Sequence, residues 1–255
     1  MLAPASIIAP LGLALLTLGA AGAAHAAEFV ALRDVAPGIV QAMHYATATN
    51  FTGAVVPGYV GGECLVTRPT AQALITTQAA LAPQGYTLVM FDCYRPVQAV
   101  AAFAAWAERR DFEGDRAKAF FAPGIDADSL FAKGYIAHKS GHSRGGTVDV
   151  GLAKADAEIA ITPLPEAGTC LDTPATAGVL DMGTSFDCFS PRSWVGAKGL
   201  STIQRRNRQL LADALLAAGF QPYRKEWWHF SLPEGDAGQA FDFSARSTDI
   251  PDPQM

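Results

Sequence analysis

Apolar residues recur at helical spacing over residues 68–81, with Pro69 in a first-turn position that tolerates it. Residues 96–109 repeat that pattern. Residues 201–218 show it most clearly: Ile203, Leu210, Leu211, Ala214 and Leu215 form the stripe, and Gly219 ends it. Three shorter segments read as strands. Residues 87–91 are a short apolar run, residues 148–152 are another that carries Asp149, and residues 227–232 alternate. Residues 28–62 are irregular, with turns marked at Pro37-Gly38 and Pro57-Gly58. Residues 162–192 are rich in Pro, Gly, Thr and Asp and read as a long insert. A loop of that length inside a compact domain is usually functional or tied down. Helices come early and late, strands cluster between them, and no strand–helix alternation or internal repeat is visible. The pattern predicts a single α+β domain with a central antiparallel sheet and flanking helices.

The first stretch stands apart. Residues 1–26 contain no Asp, Glu, Lys or Arg, and an apolar run over 7–18 is followed by the small-residue exit Ala24-His25-Ala26. This is a signal-peptide pattern, although no Lys or Arg marks its start. The apolar core is short for a spanning helix, so no stable membrane anchor is expected after cleavage. The reading divides the chain into a signal peptide (1–26), a catalytic domain (27–243) and a disordered tail (244–255) carrying Pro251 and Pro253. The product would be exported, to the periplasm or the medium. All 19 basic and 24 acidic residues fall after the signal, giving a net charge of −5. With no basic patch interleaved with aromatics, nucleic acid is not an expected partner.

Four cysteines, Cys64, Cys93, Cys170 and Cys188, suit two disulfides in an exported chain. Three connectivities are open. Cys64–Cys93 with Cys170–Cys188 is favoured because each pair brackets a local unit, and no C-x-x-C spacing points to a cysteine-bound metal.

Candidate chemistry gathers in two segments. Ser140, His142, Gly145 and Asp149 stand in one, and Glu226 and His229 in the other; only five histidines occur in the chain. Two imidazoles, one carboxylate ligand and one spare carboxylate match a catalytic zinc site, with three protein ligands, an open position and a general base. His142 and Asp149 can meet if the chain turns at Gly145-Gly146 and re-enters as a strand. Glu226, three residues before His229, must then lie on a bend or at the strand entry. His138 is the competing ligand, four residues before His142, but Ser140, Gly141 and Gly145 argue against the helix that this spacing requires. Arg95 sits where a strand passes into a helix, a junction that often displays functional side chains.

These segments resemble the zinc D,D-dipeptidases of the VanX type, a branch of the zinc D-Ala-D-Ala peptidases. The family's Ser-x-His-x-x-Gly-x-Ala-x-Asp pattern matches Ser140, His142, Gly145 and Asp149, with Thr147 in place of Ala. Its Glu-x-x-His matches Glu226 and His229, and its Asp-x-Tyr-Arg-Pro matches Asp92, Tyr94, Arg95 and Pro96. Two further stretches match: Tyr45 to Gly53, and Met182 to Asp187. The resemblance implies one Zn2+ on His142, Asp149 and His229, with Glu226 as general base and Arg95 stabilising the oxyanion. It implies that Asp187 holds the substrate ammonium, with Ser140 and Tyr45 near a small D-amino-acid dipeptide. A D,D-carboxypeptidase trimming longer wall peptides shares the metal residues, so it stays open as an alternative. A wall-binding module without catalysis is less consistent with an intact Glu226 and Arg95. The insert over 153–181 departs from the family and could reshape the substrate mouth.

Overall fold

The computed structural model describes residues 28–109 and 111–252. The expected signal peptide lies outside the described residues. The strands are β1 (Phe29–Ala31), β2 (Val40–Gln41), β3 (Leu65–Thr67), β4 (Tyr86–Asp92), β5 (Thr147–Lys154), β6 (Ala160–Ile161), β7 (Thr176–Ala177), β8 (Gln221–Pro222) and β9 (His229–Ser231). The helices are α1 (Leu32–Val35), α2 (Arg68–Leu81), α3 (Val97–Glu108), α4 (Arg116–Phe121), α5 (Ala127–Ala132) and α6 (Thr202–Ala217). The central sheet has the order β2-β4-β5-β9-β8, flanked by two small antiparallel pairs, β1 with β3 and β6 with β7.

Local sequence explains the main elements. β5 alternates buried Val148, Val150 and Leu152 with Asp149 and Gly151, so the two sets face opposite sides of the sheet. Gly151 is required there, because a Cβ would stand 2.6 Å from the ring of Phe91. α6 opens with a capping box, Ser201 and Gln204 each satisfying the other's backbone N–H, and buries Leu211 and Leu215. α2 and α6 pack against each other and against β4 and β5 respectively. The core runs continuously from these helices to an aromatic cluster around Phe51, Phe103, Trp106 and Phe189.

The structure departs from the expectation in four places. The sheet is mixed rather than antiparallel, because β2 runs parallel to β4. That strand is two residues long, too short to leave a periodic signal. The expected strand over 227–232 is confined to His229–Ser231, with Glu226 on the turn before it, its N–H donating to the Tyr223 carbonyl at 3.2 Å. α4 and α5 are too short for periodicity to reveal. Residues 244–252, expected to fray, pack on the domain: Ala245 is fully buried, and the Ser247 N–H donates to Glu63 Oε2 at 2.7 Å. Phe241 and Phe243, just before them, close around Phe29.

Both favoured disulfides form, Cys64–Cys93 and Cys170–Cys188, with Cα separations of 5.2 and 5.4 Å. The insert folds back by pairing β6 with β7 and Ala153 with Val179. It carries buried Cys170, Ala175, Met182 and Phe186 into the core. No helix among the described residues is long and apolar enough to cross a membrane.

Candidate active site

Three adjacent strands place one acidic or imidazole side chain each in a single cross-sheet row. Asp149 on β5 is directly opposite His229 on β9 and Asp92 on β4. A register shift between Met90 and Asp92 brings Asp92 into line; without it Phe91 would occupy the position. His142 reaches the row from outside the sheet. It lies on a single 3-10 turn, Gly141–Arg144, capped by the Ser140 hydroxyl, which accepts from the His142 N–H at 3.2 Å. The turn ends at Gly145, with φ +75°, where the glycine also admits the ring of Phe29.

His142 Nε2, His229 Nδ1 and Asp149 Oδ1 converge. The separations are 3.3 Å between the imidazoles, 3.4 Å from His142 to Asp149 and 3.0 Å from His229 to Asp149. These residues form the one group of at least three His, Cys, Asp or Glu among the described residues with ligand atoms spaced to hold a metal ion. The donor set suits zinc. Tetrahedral bonds of about 2.0–2.1 Å put ligand atoms about 3.3 Å apart. Asp149 Oδ1 is buried without a hydrogen-bond partner, an orphaned acceptor that a cation would satisfy. His142 Nδ1 lies 2.7 Å from the Cys93 carbonyl, which accepts its proton and leaves Nε2 as the free donor atom. His138 is not part of the group; it is exposed and stacks on Phe131.

Glu226 Oε2 is 3.4 Å from His229 Nδ1. Burial pushes its carboxyl up to about 7, with His229 opposing and Asp149 adding to the rise. That is near the value at which a carboxylate accepts and returns protons at neutral pH. Arg95 lies over the rings of Phe103 and Tyr45, at 5.0 and 5.3 Å. Its Nε donates to Asp92 Oδ2 at 2.9 Å, and a terminal nitrogen is 3.4 Å from Asp149 Oδ2. The Asp92 contact steadies the guanidinium without using all its donors.

Asp187 closes the other end. It is buried in a left-handed conformation, φ +59°, uncommon for a residue with a side chain. Its neighbours hold it there: Cys188 is in a disulfide, the Ser185 N–H donates to the Cys170 carbonyl, and the Phe189 N–H donates to the Phe121 carbonyl. Tyr45 donates its hydroxyl to Asp187 Oδ2 at 2.7 Å. Burial, then Asp149, hold the Asp187 carboxyl well above the usual carboxylate range. Tyr45, Arg95, Ser140, Asp149, Asp187, Glu226 and His229 all line one cavity of about 220 Å3. This is small beside the ~300–1,000 Å3 typical of drug-sized ligand sites.

Asp92 and Tyr59 were not singled out for a role by sequence reasoning. Asp92 is fully buried, takes the Tyr59 hydroxyl at 2.5 Å, and stands 3.5 Å from His142 Nδ1. It joins the arginine to the metal-donor histidine. The signal was its place three residues before Arg95. Asn50, by contrast, turns inward to hold its own loop, with its amide donating to Thr47 and Ala54.

With the geometry in place, comparison with known proteins agrees. The peptidase M15 family profile, described as D-ala-D-ala dipeptidase, matches residues 25–162 and 167–247. The chain belongs to that family. A D-alanyl-D-alanine dipeptidase of Enterococcus faecium is 33% identical over 219 residues, covering 86% of this chain and 98% of that one. The Enterococcus faecalis protein of the same name is 35% identical over 204 residues, covering 80% of this chain and 91% of the relative. One from Streptomyces coelicolor is 32% identical, covering 81% and 92%. A crystal structure of the D,D-pentapeptidase VanY with Zn(II) aligns over 68% of this chain and 76% of that one. At 12% identity and a TM-score of 0.30, it carries no weight for the fold. The chain is thus a member of the M15 peptidases, and the donor set gathered at this cavity accords with a metallopeptidase.

Proposed function

We propose that this protein is an exported zinc dipeptidase that hydrolyses D-Ala-D-Ala to D-alanine. The observation that carries the reading is a single small cavity lined by Asp149, His229 and Glu226 together with a buried carboxylate, Asp187, while the fully buried His142 completes the donor group. His142, Asp149 and His229 hold the ion. Bound zinc supplies Lewis acidity at the peptide carbonyl and makes water acidic near neutral pH. Glu226 takes the proton from the attacking water and passes it to the leaving amine. Arg95, fixed by Asp92, faces the cavity and opposes negative charge developing on the carbonyl oxygen. Asp187 receives the substrate's free ammonium, which compensates a carboxylate that is costly to bury alone. Ser140 and Tyr45 shape the same wall.

A carboxylate with little solvent access, Asp187, favours a substrate with a free N-terminus over a longer acylated chain. Release of D-alanine from D-Ala-D-Ala, compared with release from an N-acylated tripeptide ending in D-Ala-D-Ala, tests this. Strong preference for the free dipeptide is expected; preference for the blocked peptide would make the enzyme a D,D-carboxypeptidase. Two disulfides and the apolar N-terminal stretch support export. Mass measurement of the mature product checks it, with cleavage after Ala26 or Ala27 expected. Outside the cytoplasm, the dipeptidase would recover D-alanine from wall-derived peptides.

A further inference from the structure

A second cavity, about 410 Å3, has no lining residue in common with the first. Its floor is Phe91, Phe186 and Trp227. Each is the chain neighbour of a site residue: Asp92, Asp187 and Glu226 respectively. Phe91 joins the other two, stacking on Phe186 with ring centres 4.9 Å apart and meeting Trp227 edge-on at 6.4 Å. None of the three rings lines the first cavity, but together they form a wall in which each ring is one residue along the chain from a group that lines that cavity or anchors Arg95. A ligand that shifted this wall would move the arginine anchor, the ammonium acceptor and the base together.

The second cavity has its own unanswered charge. The Arg192 side chain lines it, and Arg192 Nε is buried with no hydrogen-bond partner. Behind it, Arg208 donates all its hydrogen bonds to backbone carbonyls, those of Met182, Trp194 and Arg192. Neither arginine forms an ion pair with a carboxylate of a described residue within 4 Å. Burial, then the Arg192 charge, lower Arg208 to about 10. Arg208 is answered by neutral carbonyls, and the neighbouring, half-buried Arg192 has an unpartnered Nε, so the pair favours an anion. Asp172 and Asp181 also line the cavity, so an ammonium has a partner too. Asp181 is partly engaged by the Gln204 amide and the Gly183 N–H. A carboxylate donor, an ammonium acceptor and an aromatic floor together describe an α-amino-acid zwitterion with a small apolar side chain.

We propose that this cavity is an accessory site for such a zwitterion, held by Arg192 through its carboxylate, and that occupancy changes turnover through the three rings and the site residues next to them in the chain. This rests on the dipeptidase reading only for the choice of probe, because D-alanine is that reaction's product. The test is calorimetric titration of D-alanine into the zinc-loaded enzyme, with initial rates of D-Ala-D-Ala hydrolysis measured at fixed D-alanine. Two binding events are expected in the wild type and one in Arg192→Gln. A change in kcat of at least about fivefold should accompany the second event and vanish in the variant. Arg192→Lys, which keeps the charge, should restore part of it, and circular dichroism confirms that both variants fold. One binding event in wild type and variant alike, with inhibition that is purely competitive, overturns the proposal. Calorimetry needs no turnover, so absence of hydrolysis would sink the dipeptidase reading and leave the two-site test intact.

Discussion

The two ends of the cavity are built differently. The end with the candidate metal donors rests largely on hydrogen-bonded strands: Asp149, His229 and the neighbouring Asp92 hold their places through the β4–β5–β9 ladder, and only His142 comes from a turn beside the sheet. The end with Asp187 rests on an irregular segment, fixed by a disulfide, a tyrosine hydroxyl and backbone bonds to α4. A ladder sets side-chain positions by register, so a one-residue slip is prohibitive. A loop has no such period and needs separate restraints at each point. The strand-held end is therefore robust by construction, and the Asp187 end depends on a few individual contacts.

Experiments can break that comparison. His229→Ala removes a ladder-held donor and should abolish both zinc retention and turnover, read by metal analysis and D-alanine release. Glu226→Ala should keep zinc and the fold but lose roughly 10²–10⁴-fold in kcat, the usual worth of general acid–base catalysis. Normal hydrolysis by that variant would refute the assigned base. Asp187→Asn leaves the ladder untouched, so its loss of about 10–100-fold should fall on KM with zinc content unchanged, taking ~1.5–3 kcal/mol for one charge-assisted hydrogen bond. If zinc were lost as well, the two ends would not be separable.

The disulfides sharpen the contrast. Cys93 follows Asp92, and its carbonyl accepts from His142; Cys188 follows Asp187. Replacing Cys64 and Cys93 with alanine should weaken zinc retention about 10–100-fold, the usual effect of disturbing a ligand's hydrogen-bond partner. Replacing Cys170 and Cys188 should instead raise KM. Equal effects from the two pairs would mean that both act only on global stability.

The smallest expected effect is on acid stability. His44 is fully buried between the Thr49 carbonyl and the Thr176 hydroxyl, tying the Tyr45 segment to the insert. Burial lowers it to about 4 from 6.5. Its folded value is depressed, so the unfolded chain binds the extra proton between those values. The stability is present above pH 6.5 and lost as pH falls toward 4, on the order of 2–3 kcal/mol. Denaturant unfolding of wild type and His44→Gln at several pH values should show a flatter acid limb in the variant.

Much of this was legible in the chain. Helices α2, α3 and α6 and strands β4 and β5 emerge within a residue or two of their patterns, because each helix buries one face of a long, regular segment and both strands are short runs buried on both faces. The candidate metal donors were visible because few histidines occur, and because Gly145 permits the turn that returns the chain as β5. The parallel strand β2, the packed residues 244–252 and helices α4 and α5 were not legible, being short and held by distant partners. Asp92 was marked only by its place in the motif three residues before Arg95, and a carboxylate at that spacing reads as an ordinary ion pair.

The sequence alone determined which residues could carry the chemistry, because residue type and local spacing limit what can ligate a metal or transfer a proton. The tertiary structure decided how they meet. The β4–β5–β9 register placed Asp92, Asp149 and His229 in one row, and the Cys93 carbonyl oriented His142. The Tyr45 contact brought Asp187 to the far end from 142 residues away. Such placements depend on pairing between segments remote in the chain, which no local pattern encodes.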